Sequence, residues 1–242
     1  MCTVTVIPHA RGVRVLCNRD EQRTRPLALA PQIHNLGGRL ALFPVDPQGG
    51  GTWIGVNDAD IAIVLLNAHR TTSKRDDDSM RSRGLIVREL LHSVSLRQAI
   101  AGAENLDPRA FAPFRVVMVH NRRVGVATSD GTASIRCTEG PLDTPLLFTS
   151  SSLGDAVVGP LRQRLFERMV VRSRVGWLAG QMHFHEHQWP RCPEISIRME
   201  RRDALTVSRT TIDVTNDGPL MLYEAPVDAT APERARECSS LH

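Results

Sequence analysis

Residues 1–22 are MCTVTVIPHARGVRVLCNRDEQ, two apolar runs separated by a short turn, in a chain of 242 residues. Segments 2–7 and 13–17 alternate in polarity or are continuously apolar, which predicts two strands, and segment 8–12 predicts the hairpin turn between them. In such a hairpin the start of the first strand faces the end of the second strand. We therefore expect Cys2 to lie beside residues 18–20, and we treat these residues as one site.

Cys2 combines a candidate nucleophile with a candidate base. Methionine is normally trimmed ahead of a small residue, which would leave Cys2 with both its thiol and a free α-amine. A thiol of pKa ~8.5 is only slightly ionised at neutral pH, whereas an α-amine of pKa about 7.7 to 8.0 is partly neutral and can accept the thiol proton. N-terminal amines activate side-chain nucleophiles in this way. The alternative is that Cys2 is a small buried hydrophobic residue of the first strand.

A second hairpin is predicted further along the chain. Segments 52–56 and 61–66 have strand character, and the polar turn 57–60 between them is rich in Asn and Asp. Glycines 49–51 precede it and serve either a close approach of a ligand or a bend in the chain. Asn67 follows the second strand directly.

Five sequence features follow one another in a fixed order: Met1-Cys2, Asn18-Arg19-Asp20-Glu21, Arg25-Pro26, Gly50-Gly51-Thr52-Trp53-Ile54-Gly55 and Asn67. Together they resemble the NRDE family, also called transport and Golgi organisation protein 2. The resemblance is strong through about Gly84, and segments 147–151 and 206–210 match more loosely. It implies an N-terminal-nucleophile hydrolase-like fold of the α+β class, a four-layer αββα sandwich in which two antiparallel sheets are stacked between helices.

The resemblance also implies roles for individual residues. Cys2 attacks a carbonyl carbon and forms a thioester, and Asp20 orients its α-ammonium group. Arg19 holds the thiolate or a substrate carboxylate, and Asn67 donates a hydrogen bond to the oxyanion. The expected substrate contacts are Asn18, Glu21, Thr52 and Trp53. As alternatives, Arg19 and Asp20 form a buried ion pair that fixes the hairpin register, and Asn67 caps a turn.

Two functions from different classes are compatible with these residues. The first is a cysteine N-terminal-nucleophile hydrolase or acyltransferase that acts on a linear, non-peptide amide or a thioester, needs no cofactor and requires a free α-amine on Cys2. The second is a non-enzymatic carrier or chaperone that binds haem or a lipid-derived small molecule and tolerates a retained Met1. Eukaryotic relatives are linked with haem movement and lipid metabolism. In both functions the partner is a small molecule.

The charge of the chain permits an anionic ligand without requiring one. The net charge is +4, and Lys74 is the only lysine among 30 basic residues, which leaves 29 arginines. A GC-rich genome explains this bias as well as a ligand does, although the arginine side chain pairs carboxylates and phosphates in a bidentate manner. Aromatic residues make up 4% of the chain, so stacking platforms for bases are scarce and no nucleic-acid partner is expected.

The cysteines argue against a zinc finger or a disulfide framework. Their five positions are 2, 17, 137, 192 and 238, an odd number without CxxC spacing. This usage fits a reducing compartment, and no secretory segment precedes it, so we expect a cytoplasmic protein. No apolar run approaches the ~18 residues that span a bilayer. A transmembrane segment is therefore not expected.

Helices and strands of the middle region follow from its pattern. Segment 85–101 is predicted to be a helix that Gly102 stops, and segments 114–120, 123–128 and 135–137 are predicted strands. The charged segment 70–83 is predicted to be an exposed loop. Its Asp76-Asp77-Asp78 run is not expected to bind a metal, because consecutive carboxylates point in different directions.

The last third of the chain contains a histidine cluster. After a helical region at 161–180, His183, His185 and His187 alternate on a predicted strand and are candidate zinc or haem ligands, or else a surface loop. Because no second ligand cluster is visible, no metal is assigned. Segments 195–199 and 204–214 predict a late hairpin. We expect one domain, residues 1–225, and a disordered tail, residues 226–242.

Overall fold

The computed structural model describes residues 2–68, 80–226 and 234–241. Within these parts, thirteen strands form two antiparallel sheets. The strands are β1 (Cys2–His9), β2 (Gly12–Gln22), β3 (Leu29–Asn35), β4 (Leu40–Val45), β5 (Ile54–Asn57), β6 (Ala62–Asn67), β7 (Phe114–His120), β8 (Arg123–Ser129), β9 (Ile135–Pro141), β10 (Leu146–Thr149), β11 (Ala204–Thr215), β12 (Gly218–Pro226) and β13 (Arg234–Ser240).

The first sheet has the order β10-β1-β2-β11-β12-β13, and the second has the order β3-β4-β5-β6-β7-β8-β9. The second sheet is a simple meander, because each strand pairs with the next strand in the chain. In the first sheet, the β1–β2 hairpin lies between strands that come from the distant second half of the sequence. The start of the chain is thereby fixed at the centre of a sheet.

Helices cover the outer face of each sheet. They are α1 (Gly84–Leu90), α2 (Leu96–Glu104), α3 (Asp155–Phe166), a π-helix (Glu167–Val171) and α4 (Trp177–Glu186), with short 3-10 turns at Pro108–Ala110 and Pro193–Ile195. Helices α1 and α2 share an apolar cluster with the second sheet. The π-helix, α3 and α4 pack against β1 of the first sheet.

Strand alternation explains why the layers stack in this order. In β1, the side chains of Cys2, Val4 and Val6 lie between the two sheets, within a cluster to which both sheets contribute. Ile7 lies on the opposite face, against the helices. Full burial of a valine or isoleucine side chain contributes about 1.5 to 3 kcal/mol. The result is the predicted four-layer αββα sandwich.

Two predicted hairpins, β1–β2 and β5–β6, are confirmed, and the strands predicted at 114–120 and 123–128 form β7 and β8. The pairing of β1 and β2 runs from Cys2 opposite Arg19 to His9 opposite Gly12, so the turn is only two residues long. β5 pairs with β6, β7 pairs with β8, and β8 also pairs with β9. Asn121 and Arg122 form the β7–β8 turn with φ values of 47° and 55°, as a two-residue type I′ turn requires.

The single helix predicted at 85–101 is wrong, because the chain forms α1 and α2 with a break between them. Ser95 begins the second helix, where its hydroxyl accepts a hydrogen bond from the backbone nitrogen of Gln98. Gly102 does not stop the helix. It lies inside α2, where an added Cβ would come within 2.9 Å of Leu90 Cδ2, so its role is close helix packing.

The helical region predicted at 161–180 is corrected at both ends. Helix α3 begins earlier, at Asp155, and continues directly into the π-helix, which ends at Val171. A short non-helical segment follows, and α4 begins at Trp177. The histidine cluster is not on a strand, because His183 and His185 lie in the last turn of α4. Packing explains the difference, since Phe184 is fully buried against Phe166 with ring centroids 5.5 Å apart.

The late hairpin is also corrected. β11 forms as predicted, but its partners are β2 and β12. Segment 195–199 forms no strand, and only an isolated bridge joins Glu200 to Leu205. β12 was missed by sequence reasoning, which the prolines at both of its ends explain.

The C-terminal segment differs from its prediction as well. Arg234–Ser240 forms the edge strand β13 on β12, where disorder was predicted. Cys238 is exposed, while Leu241 is buried in the core between the sheets. An edge strand with one buried anchor leaves little apolar pattern in the sequence, which explains the error.

Some predictions lie outside the described residues. These are residues 69–79 of the charged loop, with Asp76-Asp77-Asp78, and residues 227–233 and 242 of the tail. In the parts of the chain that are described, no helix has both the length and the apolar character needed to cross a bilayer.

Candidate active site

Cys2 begins β1 at the edge of the space between the sheets, where it is 4% exposed. Its Cα partner across the hairpin is Arg19. The backbone nitrogen of Cys2 donates a hydrogen bond of 3.2 Å to Ser150 Oγ, just after β10. The Cys2 carbonyl oxygen accepts a bond of 3.0 Å from the Ser150 nitrogen. The backbone nitrogen of Cys2, the expected α-amine, is therefore held in place by Ser150.

A cavity of about 340 Å³ opens at Cys2. Six of the eight predicted site residues line it: Cys2, Arg19, Glu21, Thr52, Trp53 and Asn67. Both sheets contribute to the cavity wall. Cys2 and Arg19 come from the first sheet, and Asn67 ends β6 of the second. The structure thus brings together residues from four separate motifs of the sequence.

Arg19 is held in the cavity wall by an aromatic ring and two carboxylates. Its guanidinium carbon lies 4.1 Å from the centroid of the Trp53 ring. Its Nη2 is 2.9 Å from an oxygen of Asp46 and 3.6 Å from an oxygen of Glu21. Arg25 shares both carboxylates, at 2.7 Å from Asp46 and 3.6 Å from Glu21. Two arginines and two acids therefore form one compensated network.

The electrostatics of Asp46 agree with this network. Burial alone would raise the pKa of its carboxyl group, but the hydrogen bonds from Arg25 and the charge of Arg19 outweigh burial and lower the pKa below its ordinary value. Asp46 is thus ionised at neutral pH, and it fixes the direction of Arg19. The expected ion pair between Arg19 and Asp20 does not form, since the partners of Arg19 are on the other face of the sheet.

Asp20 faces the helical layer. It is 2% exposed and accepts a hydrogen bond of 2.6 Å from Thr206 Oγ1. Burial raises the pKa of its carboxyl group, although the charge of Arg162 and the bond from Thr206 oppose this shift. Arg162 is itself buried, and its Nη1 donates to Thr3 Oγ1 at 2.9 Å. The negative charge of Asp20 opposes ionisation of the Cys2 thiol, although the pKa of Cys2 is lowered overall.

Asn18 also faces the helices and lies outside the cavity that holds Cys2. Its Nδ2 donates to the backbone oxygens of His185, at 2.9 Å, and Ile197, at 3.0 Å. Its Oδ1 is 3.1 Å from His185 Nδ1. All of these bonds fasten β2 to α4 and its following loop. The side chain is therefore committed to the scaffold, and the expected substrate contact is not available to it.

His185 belongs to the same buried network. Its Nε2 lies 2.8 Å from Thr5 Oγ1, so both ring nitrogens are hydrogen-bonded. Burial lowers the pKa of the imidazole well below its ordinary value, and the charges of Arg209 and Arg162 add to this effect. Among the described residues, no group of three or more His, Cys, Asp and Glu side chains is arranged to hold a metal ion. His185 is consequently a neutral structural residue.

Cys17 modifies the nucleophile candidate. It is fully buried on the same face of the sheet as Cys2. A hydrogen bond from the Cys17 thiol lowers the pKa of Cys2, while burial opposes the shift and the charge of Arg19 supports it. The pKa of Cys17 is raised well above its ordinary value by the same hydrogen bond and by burial. Of the two thiols, Cys2 therefore has the lower pKa.

Sequence reasoning missed four residues of this site. Arg25, Asp46 and Arg83 line the cavity, and Ser150 holds the Cys2 nitrogen. Arg25 was present in one motif, and Ser150 in a loosely matched segment, so a signal existed for both. Arg83 belongs to the pair Arg83-Gly84, which also resembles the family, so a signal existed for it as well. Asp46 reaches the site through long-range folding and carries no local signal.

The family model described as Transport and Golgi organisation 2 matches residues 1–155. This chain belongs to the Transport and Golgi organisation 2 family. The match covers β1 to β10 and therefore every cavity residue discussed above. No curated protein gives a significant match to the sequence.

Solved structures show the fold of this family member. Penicillin V acylase from Agrobacterium tumefaciens has a TM-score of 0.58 at 12% identity and covers 100% of this chain and 86% of its own. The N-acylethanolamine-hydrolyzing acid amidase ortholog from Caenorhabditis elegans has a TM-score of 0.58 at 13% identity, with coverages of 87% and 92%. The C2A mutant of conjugated bile acid hydrolase from Clostridium perfringens has a TM-score of 0.53 at 10% identity, with coverages of 100% and 97%. These likenesses show the N-terminal-nucleophile hydrolase fold.

Proposed function

We propose that the chain is a cysteine N-terminal-nucleophile hydrolase that cleaves a linear, non-peptide amide, with Cys2 as nucleophile after removal of Met1. One observation carries the proposal: the Cys2 nitrogen is held by Ser150 while the Cys2 side chain faces a cavity. Cys2 thereby presents its thiol, the proposed nucleophile, to the cavity, while its nitrogen, the proposed base, is held in a fixed position. A buried structural cysteine would require neither the cavity nor the position at the start of a central strand.

The first half of the reaction forms a thioester. The α-amine of Cys2 takes the thiol proton as Sγ attacks the carbonyl carbon of the amide. The Asn67 side chain lines the same cavity and donates to the developing oxyanion, an interaction worth about 3 kcal/mol in other acyl-transfer enzymes. The C–N bond then breaks, and the α-ammonium returns the proton to the leaving nitrogen.

The second half releases the acid. Water attacks the thioester carbon while the α-amine takes a proton from it, and the sulfur regains that proton as it leaves. The balance is one amide and one water consumed, with one carboxylic acid and one amine formed. Asp20, behind the strand, stabilises the α-ammonium that forms in each half.

The structural likenesses support an amide substrate. Three proteins of similar fold are named as an acylase, an amidase and a hydrolase: penicillin V acylase, the N-acylethanolamine-hydrolyzing acid amidase ortholog and conjugated bile acid hydrolase. The last of them carries an alanine in place of a cysteine at its second position, and cysteine also occupies the second position here. A cysteine at the second position is what this chain shares with that hydrolase, and it supports Cys2 as the nucleophile of the proposed reaction.

The experiment is a search for an acyl-enzyme. The protein is incubated with a panel of N-acyl p-nitroanilides and acyl thioesters, and intact mass and amine release are followed. We expect an acyl adduct on Cys2, and a loss of turnover of about 1,000-fold or more in Cys2→Ala. Cys192→Ala is the matched control, since Cys192 does not line the cavity, and it should retain wild-type turnover.

Two results would count against the hydrolase. Turnover that survives in Cys2→Ala would assign the chemistry to another group. Stoichiometric haem binding that is lost in Cys2→Ala, with no acyl adduct from any member of the panel, would favour the carrier function, in which the Cys2 thiolate would hold the ligand.

A further inference from the structure

The charges on the cavity wall are not evenly compensated. Arg19 and Arg25 share the carboxylates of Asp46 and Glu21, as described above. Arg83 stands apart from this network. Within the described parts of the chain, no carboxylate oxygen forms an ion pair with its guanidinium group, which instead donates from Nη1 to the backbone oxygen of Pro113 at 2.9 Å.

Arg83 is partly buried and faces the nucleophile. It lines the same cavity as Cys2, and ionised Cys2 and Glu21 raise the pKa of Arg83, although burial has the larger effect and lowers it. A guanidinium group stays protonated under all ordinary conditions and has five N–H donors in a planar fork. The bond to Pro113 fixes one edge of the fork. The remaining donors have no hydrogen-bond partner among the residues described.

Arg81 lies two residues earlier and provides a comparison. It lines the cavity too, but it is half exposed, and its Nη2 lies 3.8 Å from Glu89 Oε2. Its guanidinium carbon is 5.0 Å from the centroid of the Phe111 ring. Arg81 therefore has an acidic partner and is exposed to solvent, whereas Arg83 is less exposed and forms no ion pair within the described residues.

We propose that Arg83 forms a carboxylate-binding subsite opposite Cys2, so that the substrate is an amide that carries a carboxylate. This inference rests on the proposed hydrolase function. A partly buried cation without an acidic partner is costly to leave uncompensated. A substrate carboxylate removes that cost and accepts two parallel hydrogen bonds from the guanidinium fork. An amide without the carboxylate gains neither effect and is bound more weakly.

The test uses two alkylating reagents of nearly equal size, iodoacetate and iodoacetamide. In both reactions the Cys2 sulfur bonds to the CH2 carbon as the C–I bond breaks and iodide leaves, which attaches a carboxymethyl group from iodoacetate or a carbamoylmethyl group from iodoacetamide. Only the former carries a carboxylate. The rate ratio of the two reagents therefore reports charge recognition, while changes in the ionisation of Cys2 cancel. Peptide mapping assigns the label to Cys2, and glutathione gives the ratio for an ordinary thiol.

We expect the iodoacetate to iodoacetamide ratio at Cys2 to exceed that of glutathione by about tenfold, the size of one charge-assisted interaction. The ratio should fall by a similar factor in Arg83→Gln. In Arg81→Gln, the matched control on the same segment, it should change by less than about twofold. Circular dichroism and thermal melting establish that both variants fold.

The possible failures are distinguishable. A wild-type ratio no higher than that of glutathione overturns the subsite without recourse to any variant. So does a ratio that is unchanged in folded Arg83→Gln, and in both cases rapid labelling of Cys2 by iodoacetamide leaves the hydrolase proposal standing. If neither reagent labels Cys2, the proposed function fails, and the subsite fails with it.

Discussion

Cys2 and Arg19 are Cα partners across the β1–β2 hairpin, and their side chains line one cavity. The register is set by apolar residues on either side of the turn, since Val4 and Val6 must enter the core between the sheets. A shift by one residue would turn Cys2 and Arg19 towards opposite faces. The packing of the hairpin thus determines the geometry of the site.

Arg19→Gln should raise the pKa of the Cys2 thiol. The charge of Arg19 is one of the effects that lower this pKa, and glutamine removes it. The rate of iodoacetamide labelling at Cys2, measured against pH, should shift towards higher pH. Arg25→Gln is the control, because Arg25 shares Asp46 with Arg19 but is not among the groups that set the pKa of Cys2. Equal labelling profiles in wild type and Arg19→Gln would show that Arg19 does not act on the thiol.

Cys17→Ala should also raise the pKa of the Cys2 thiol, because the hydrogen bond from Cys17 is the largest cause of its lowered pKa. Cys17→Ser keeps a hydroxyl donor at this position and should restore part of the shift. The same labelling profile measures both variants. If alanine and serine give the wild-type profile, the two thiols are not coupled.

Gly51→Ala should disrupt the cavity wall. A Cβ on Gly51 would lie 2.3 Å from the backbone carbon of Gly84, so one of the two segments must move. We expect a loss of about 2 kcal/mol or more in the free energy of unfolding. Gly140→Ala, in strand β9, meets no atom within 4 Å and should change stability by less than about 1 kcal/mol. Urea denaturation measures both, and equal stabilities would contradict the close approach of these segments.

His185 should make the folded state sensitive to acid. Its pKa is well below 6.5 in the fold because it is buried, whereas the unfolded chain takes up the proton near pH 6.5. Below that pH the unfolded state binds one more proton, so stability falls as pH falls, by up to about 1.4 kcal/mol per pH unit for this group.

The measurement is the free energy of unfolding of wild type and His185→Gln between pH 7 and pH 5. The wild type should show the steeper loss. His183→Gln is the matched control: it removes an exposed histidine from the same helix and should leave the pH dependence of the free energy of unfolding as in wild type. A slope in His185→Gln as steep as in wild type would exclude His185 as the cause.

Local pattern predicted the parts of the fold that are regular in sequence. Period-two apolar runs gave the β1–β2, β5–β6 and β7–β8 hairpins, because alternate residues of each strand enter a core. The same alternation places Asn18 and Asp20 on the face opposite Arg19, a consequence that treating the tetrapeptide as one site overlooked. Their buried partners, His185 and Thr206, come from the far end of the chain.

Other features depend on tertiary contacts. The histidines of α4 alternate in sequence as a strand would, and packing of Phe184 against Phe166 decides for the helix. Asp46 and Arg83 reach the cavity from the end of β4 and from the residue before α1. Asp46 belongs to no recognisable motif, because a single charged residue at the end of an element has meaning only once its neighbours in space are known. Arg83 is part of the family-like pair Arg83-Gly84, but its place in the cavity depends on the same long-range contacts.

Removal of Met1 is the step on which catalysis by Cys2 depends most directly. Two preparations are compared by intact mass and by amide turnover: the native start, and a form with a Gly-Ser extension ahead of Met1 that keeps the amine of Cys2 in a peptide bond. We expect the native start to lack Met1 and to turn over an amide of the panel, and the extended form to be at least about 1,000-fold slower. Equal turnover in both forms, or an active protein that retains Met1, would contradict the mechanism.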